Sequence, residues 1–97
     1  MTTVGNLADK VRSKNAGPFW LTVDVFCGDG YEAIAEGLTA ERLAALTGAD
    51  SQTVKVFALP ELRVVKLSLP RPAIQGSRED RDMHGAALAA LVSEMDV

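Results

Sequence analysis

Over residues 19–27 a wholly apolar set, Phe19, Leu21, Val23, Val25 and Cys27, alternates with Trp20, Thr22, Asp24 and Phe26. A period of two in β-branched and aromatic residues predicts a strand. Its odd positions should face a core, leaving Asp24 on the opposite side among Trp20, Thr22 and Phe26. Upstream, Val4, Leu7, Ala8 and Val11 fall at i, i+3, i+4 and i+7, the spacing of one helical face, which predicts a short helical or irregular arm over 4–12. The stretch 13–18 predicts a turn, because Asn15 and Gly17 tolerate positive φ and Pro18 lacks an amide proton.

After the break Gly28-Asp29-Gly30, two helices are predicted over 31–37 and 39–47. Thr39 is the N-cap of the second, Gly48 its stop, and Leu38, Leu43 and Leu46 its buried stripe. Segments 53–58 and 62–69 then predict an antiparallel hairpin joined by Leu59-Pro60-Glu61. Pro70-Arg71-Pro72 lacks two amide donors and ends the second strand. A polar loop over 73–81 leads to a helix from Asp82 to about Ala90. The tail 91–97 either extends that helix or adds a last strand. The order is β, α, β, β, α, β behind an arm. This predicts a ferredoxin-like α+β domain, an antiparallel sheet with helices on one face, built as a single domain over 1–97.

At 97 residues the chain has room for one core and little for a deep private active site. Ten basic against thirteen acidic residues give a net charge of −3, which disfavours nucleic acid as a partner, although a local basic patch survives such an average. One cysteine, Cys27, and one histidine, His84, exclude a disulfide framework and make a metal site poor. No cofactor is implied. Residues 1–5 lack the basic start of a secretory signal, and the longest apolar run, 86–92, is too short to span a bilayer. The reading is a cytoplasmic protein that avoids the membrane.

Two clusters carry candidate chemistry. Arg12, Ser13, Lys14 and Asn15 put two cations, a hydroxyl and an amide just before a strand, with Gly17 allowing close approach of a ligand to the backbone. Arginine holds a carboxylate or phosphate bidentately and lysine adds a point charge. The plainer alternative is a solvated turn. The second cluster is Arg71, Ser77, Arg78, Asp80 and Asp82, in which Arg71 or Arg78 clamps an anion, or in which Asp80 or Asp82 simply caps the following helix. His84, one helical turn beyond Asp80, is a weak general acid or base candidate because no nucleophile motif accompanies it. Cys27 reads as a small buried hydrophobe.

The run Arg12-Ser13-Lys14-Asn15-Ala16-Gly17-Pro18-Phe19, the strand after it, Pro70-Arg71-Pro72, Gly76-Ser77 and Asp80-Arg81-Asp82-Met83-His84-Gly85-Ala86 together resemble the DUF4387 family. That family is similar to the ferredoxin-fold domain associated with acyclic-terpene-utilisation proteins of the AtuA type. The resemblance implies a small accessory subunit of a two-component enzyme. Its AtuA-like large subunit would act on an organic acid or acyl thioester by hydration or dehydration. The chain departs from the family pattern at His84, where a tyrosine is typical, and at Ala87, Leu88 and Ala89, where Gln-Gln-His is typical. A stand-alone homo-oligomeric module that binds a small carboxylate without catalysis is the rival expectation.

Overall fold

The computed structural model describes residues 2–17, 19–70 and 87–97. Leu21, Val23, Val25 and Cys27 are buried, as the alternation predicts, in the strand Trp20–Phe26 (β2) and the residue after it. Phe19 is the exception, at 57% exposed; it precedes the first paired residue, so no neighbouring strand shelters it.

Upstream the structure departs from the predicted arm. The helix there is a single turn, Val4–Leu7 (α1), capped by Thr3, whose side chain accepts a hydrogen bond from the Asn6 amide. The chain then enters a strand, Lys10–Asn15 (β1), which pairs antiparallel with β2. Val4, Leu7, Ala8 and Val11 all meet the core, but Val11 does so from a strand. The predicted turn over 13–18 therefore begins later, after Asn15, and closes with the Ala16 amide donating to the Trp20 carbonyl at 2.9 Å.

Two helices follow β2, Tyr31–Gly37 (α2) and Ala40–Thr47 (α3). Thr39 caps α3 and Gly48 ends it in the left-handed region at φ 76°, where a side chain is disfavoured. The buried stripe of α3 runs through Ala40, Leu43 and Ala44, at i, i+3 and i+4. Leu46 falls one position off that stripe and is 39% exposed, contrary to its predicted role.

The hairpin is present as Lys55–Leu59 (β3) and Val64–Pro70 (β4), with a turn over 60–63 that leaves Leu62 outside the strand. The last helix is described over Ala87–Ser93 (α4). Strand order is β1-β2-β4-β3 with every pairing antiparallel. This is an α+β fold of ferredoxin-like type. The edge position beside β2 is filled from the N-terminal side, by β1, and not by a strand after the last helix. The tail instead folds back beside α1: Val4 donates to the Met95 carbonyl, Val97 to that of Thr2, and Asp96 makes an isolated bridge with Thr3.

Val23, Val25, Val65, Leu67 and Leu69 of the sheet share one core with Ile34, Leu38, Leu43, Leu88 and Val92 of the helical layer. Arg42 fixes the end of that layer, donating from Nη1 to the Gly37 carbonyl at 2.7 Å and from Nη2 to the Asp96 carbonyl at 2.5 Å. α2, α3 and α4 cover one face of the sheet, and among the described residues no helix lies over the other. Among the described residues no helix is long and apolar enough to cross a membrane.

Candidate functional site

Register dictates what the second face carries. In an antiparallel ladder, directly opposed residues point to the same side. Lys14, Thr22, Ser68 and Lys55 form one cross-strand row; Arg12, Asp24, Lys66 and Phe57 form the next; Lys10, Phe26, Val64 and Leu59 form the third. Among the described strand residues, five basic side chains, Lys10, Arg12, Lys14, Lys55 and Lys66, therefore share one sheet face with one acid, Asp24. Those strand positions carry a formal +4 within a chain of net −3.

Apolar side chains frame the cations. Trp20, Phe26, Phe57 and Leu59 are all exposed, Phe57 by 48%. The outward position of Trp20, Thr22, Asp24 and Phe26 agrees with the alternation of β2. Large exposed apolar groups gathered on one face mark an interaction surface.

Asp24 sits at the middle of this face. Its carboxylate approaches Lys66, Oδ1 to Nζ, at 3.8 Å, too long for a hydrogen bond. Oδ1 is itself buried and, like Thr22 Oγ1, has no hydrogen-bond partner among the described residues. Arg12 is the register partner of Asp24 across β1 and β2, yet among the described residues no ion pair joins them. A groove of about 480 Å³ runs along β1, with Arg12, Lys14, Asp24 and Phe26 in its wall and Ala89 of α4 at its margin.

The strand separates the first sequence cluster into two groups. Arg12 and Lys14 point to the open face. Ser13 and Asn15 fall on the helix-covered face, where Ser13 Oγ accepts the Ala89 amide at 3.1 Å and so ties β1 to α4. Gly17 takes φ 82° in the β1–β2 turn, and among the described residues nothing lies within 4 Å of where a Cβ would stand, so its requirement there is conformational. Arg71, Ser77, Arg78, Asp80, Asp82 and His84 lie outside the described residues. Asp24 is the site residue that the sequence does not single out: its face is legible there, but not that Arg12 stands opposite it.

The family model for DUF4387, a domain of unknown function, matches residues 4–96. This chain belongs to the DUF4387 family. The match takes in every element described above, including β1 and the tail that packs beside α1. No curated protein and no solved structure matches the chain.

Cys27 lies away from the open face, at the end of β2. It is fully buried, and Sγ donates to the Val25 carbonyl at 3.3 Å. Burial raises its pKa above 9.0, the hydrogen bond with the Val65 backbone works in the other direction, and the Asp9 charge adds to the rise. Such a thiol is a packing group, since nucleophilic cysteines need a depressed pKa. Among the described residues no three His, Cys, Asp or Glu side chains are grouped to hold a metal ion.

Proposed function

We propose that this DUF4387 chain is the small, non-catalytic subunit of a cytoplasmic two-component enzyme, docking through its open sheet face onto an AtuA-type large subunit. The observation that supports this most is the face itself: five cations framed by Trp20, Phe26, Phe57 and Leu59 with no described helix over them. Two copies meeting face to face would set five cations against five, and like-charge juxtaposition across an interface is strongly unfavourable. A different, acidic partner suits the surface better. In the complex, Arg12 and Lys14 reach a carboxylate or acyl-thioester substrate at the interface and complete a site for its hydration or dehydration. Position 89, polar in the family pattern that the sequence resembles, borders the same groove.

The groove favours a second reading, a homo-oligomeric module that binds a small carboxylate without catalysis. Co-expression with a large AtuA-type protein, followed by mass measurement, separates the two. A stable hetero-complex is the predicted product. A monodisperse homo-oligomer free of the large chain supports the module instead.

A further inference from the structure

We infer that two copies of this chain pair antiparallel along the outer edge of β3, joining their four-stranded sheets into one continuous sheet. The inference goes beyond the docking proposed above and does not rest on it, because edge pairing leaves the open face uncovered.

The register shows which backbone groups of β3 are available. Successive residues of an antiparallel strand turn their N–H and C=O groups to opposite neighbours. Cys27 donates to the Arg63 carbonyl, so along β4 the odd-numbered residues bond towards β2 and the even-numbered ones towards β3. Val64, Lys66 and Ser68 are the register partners of Leu59, Phe57 and Lys55, which therefore turn their backbone groups to β4. Val56 and Ala58 turn theirs outward, on the strand that ends the sheet order.

The two edges of the sheet differ. β1 carries Lys10, Arg12 and Lys14 and is tied to α4 through Ser13 and Ala89; charge and a covering helix are both means by which edge strands avoid pairing. β3 has one lysine, at its first position, and no proline. Phe57 and Leu59 are exposed on its open face, and Ala58 is exposed on the helix side.

β3 is complementary to itself about Phe57. With Phe57 opposite the same residue of a second copy, all five residues pair. Val56 then meets Ala58 twice, and the outward groups close two reciprocal pairs of main-chain hydrogen bonds. Lys55 meets Leu59, so no cation opposes a cation. Phe57 falls at a position without main-chain bonds, where opposed side chains come closest and an aromatic pair is favourable. Sliding the copies by two residues in either direction leaves one reciprocal pair within the strands in place of two. A five-residue strand makes a small interface, so the dimer should dissociate on dilution.

The test sediments the isolated full-length chain over a concentration series and measures amide hydrogen exchange at both ends of that series. A monomer–dimer equilibrium is expected, with protection of the Val56 and Ala58 amides rising with the dimer fraction while that of Phe57, bonded to β4, stays constant. Ala58→Pro removes an outward N–H and leaves the pairing of β3 with β4 intact. It should weaken dimerisation about tenfold to a hundredfold, since each copy loses one hydrogen bond. Phe57→Lys, which sets two cations in direct opposition, should weaken it as well. Amide ¹H–¹⁵N spectra report whether each variant is folded. A monomer at every concentration overturns the inference, as does a dimer whose Val56 and Ala58 exchange ignores concentration, or folded variants that dimerise like the parent. Ala58 lies on the helix side of the sheet, so Ala58→Pro should still bind a large AtuA-type protein; failure of pairing and failure of docking are read separately.

Discussion

Arg12 and Asp24 stand opposite one another across β1 and β2, yet Asp24 leans to Lys66 on the other side, at 3.8 Å. The arrangement keeps the Arg12 guanidinium available on the sheet surface. It also places Asp24 between two cations, one on each neighbouring strand.

Arg12 and Ser13 are adjacent in sequence and opposite in role, so their variants should separate. Arg12→Ala, on the open face, should leave stability within about 0.5 kcal/mol of the parent while weakening acid binding or the activity of the complex. Ser13→Ala removes the acceptor for the Ala89 amide and should cost about 1 kcal/mol of stability. Chemical denaturation read beside ligand titration checks both. Unchanged binding and activity in Arg12→Ala would remove the guanidinium from the site.

These two residues also mark how far the sequence alone reaches. β2 is readable because apolar and polar residues alternate at every step from Leu21 to Val25. β1 is not, because its core side offers only one strongly apolar residue, Val11, beside Ser13 and Asn15. That single valine completes a helical spacing with Val4, Leu7 and Ala8, all of which do reach the core. Two structural solutions share one hydrophobic pattern, and the pairing with β2 decides between them. Consequently the pattern puts Arg12 and Lys14 at a turn, and their relation to Asp24 and Lys66, set by register across three strands, is invisible in it. Leu46 shows the same limit on a smaller scale: i+3 from Leu43 suggests burial, but the stripe is centred between Leu43 and Ala44.

Thr39 Oγ1 accepts the Arg42 amide at 3.2 Å and opens α3. Thr39→Ala should cost about 1 kcal/mol, with Thr39→Asn recovering most of it, as read from denaturation midpoints. No loss in Thr39→Ala would mean that the side chain adds nothing to the cap.

Gly17 holds φ 82° with open space around it. Gly17→Ala should therefore destabilise through backbone strain alone, by about 1 kcal/mol, and Gly17→Asn should be milder because asparagine tolerates this region. Equal stability of Gly17→Ala and the parent would rule out strain at this position.

Cys27 gives a pH dependence with a definite sign. Its native thiol keeps its proton to higher pH than the unfolded chain does, because burial disfavours the thiolate. Well below 9.0 both states are protonated and the thiol contributes no slope. Above that value the unfolded chain ionises first, so stability should fall as pH rises. Denaturation at increasing pH should show this fall in the parent and a flatter profile in Cys27→Ala. The native thiol should also resist a thiol-specific reagent until the protein unfolds. Rapid labelling of the folded chain would contradict the packing role.

Docking through the open face is best tested by comparing the complexes formed by the parent, Lys66→Glu and Phe57→Glu. Each is co-expressed with the large AtuA-type protein and weighed by native mass spectrometry. Both substitutions lie on the open face, where Lys66 and Phe57 are exposed register partners, so folding should survive. A hetero-complex is predicted for the parent, and its loss or strong weakening in both variants. A parent chain that leaves the large protein unbound, or variants that assemble as well as the parent, would contradict docking through this face.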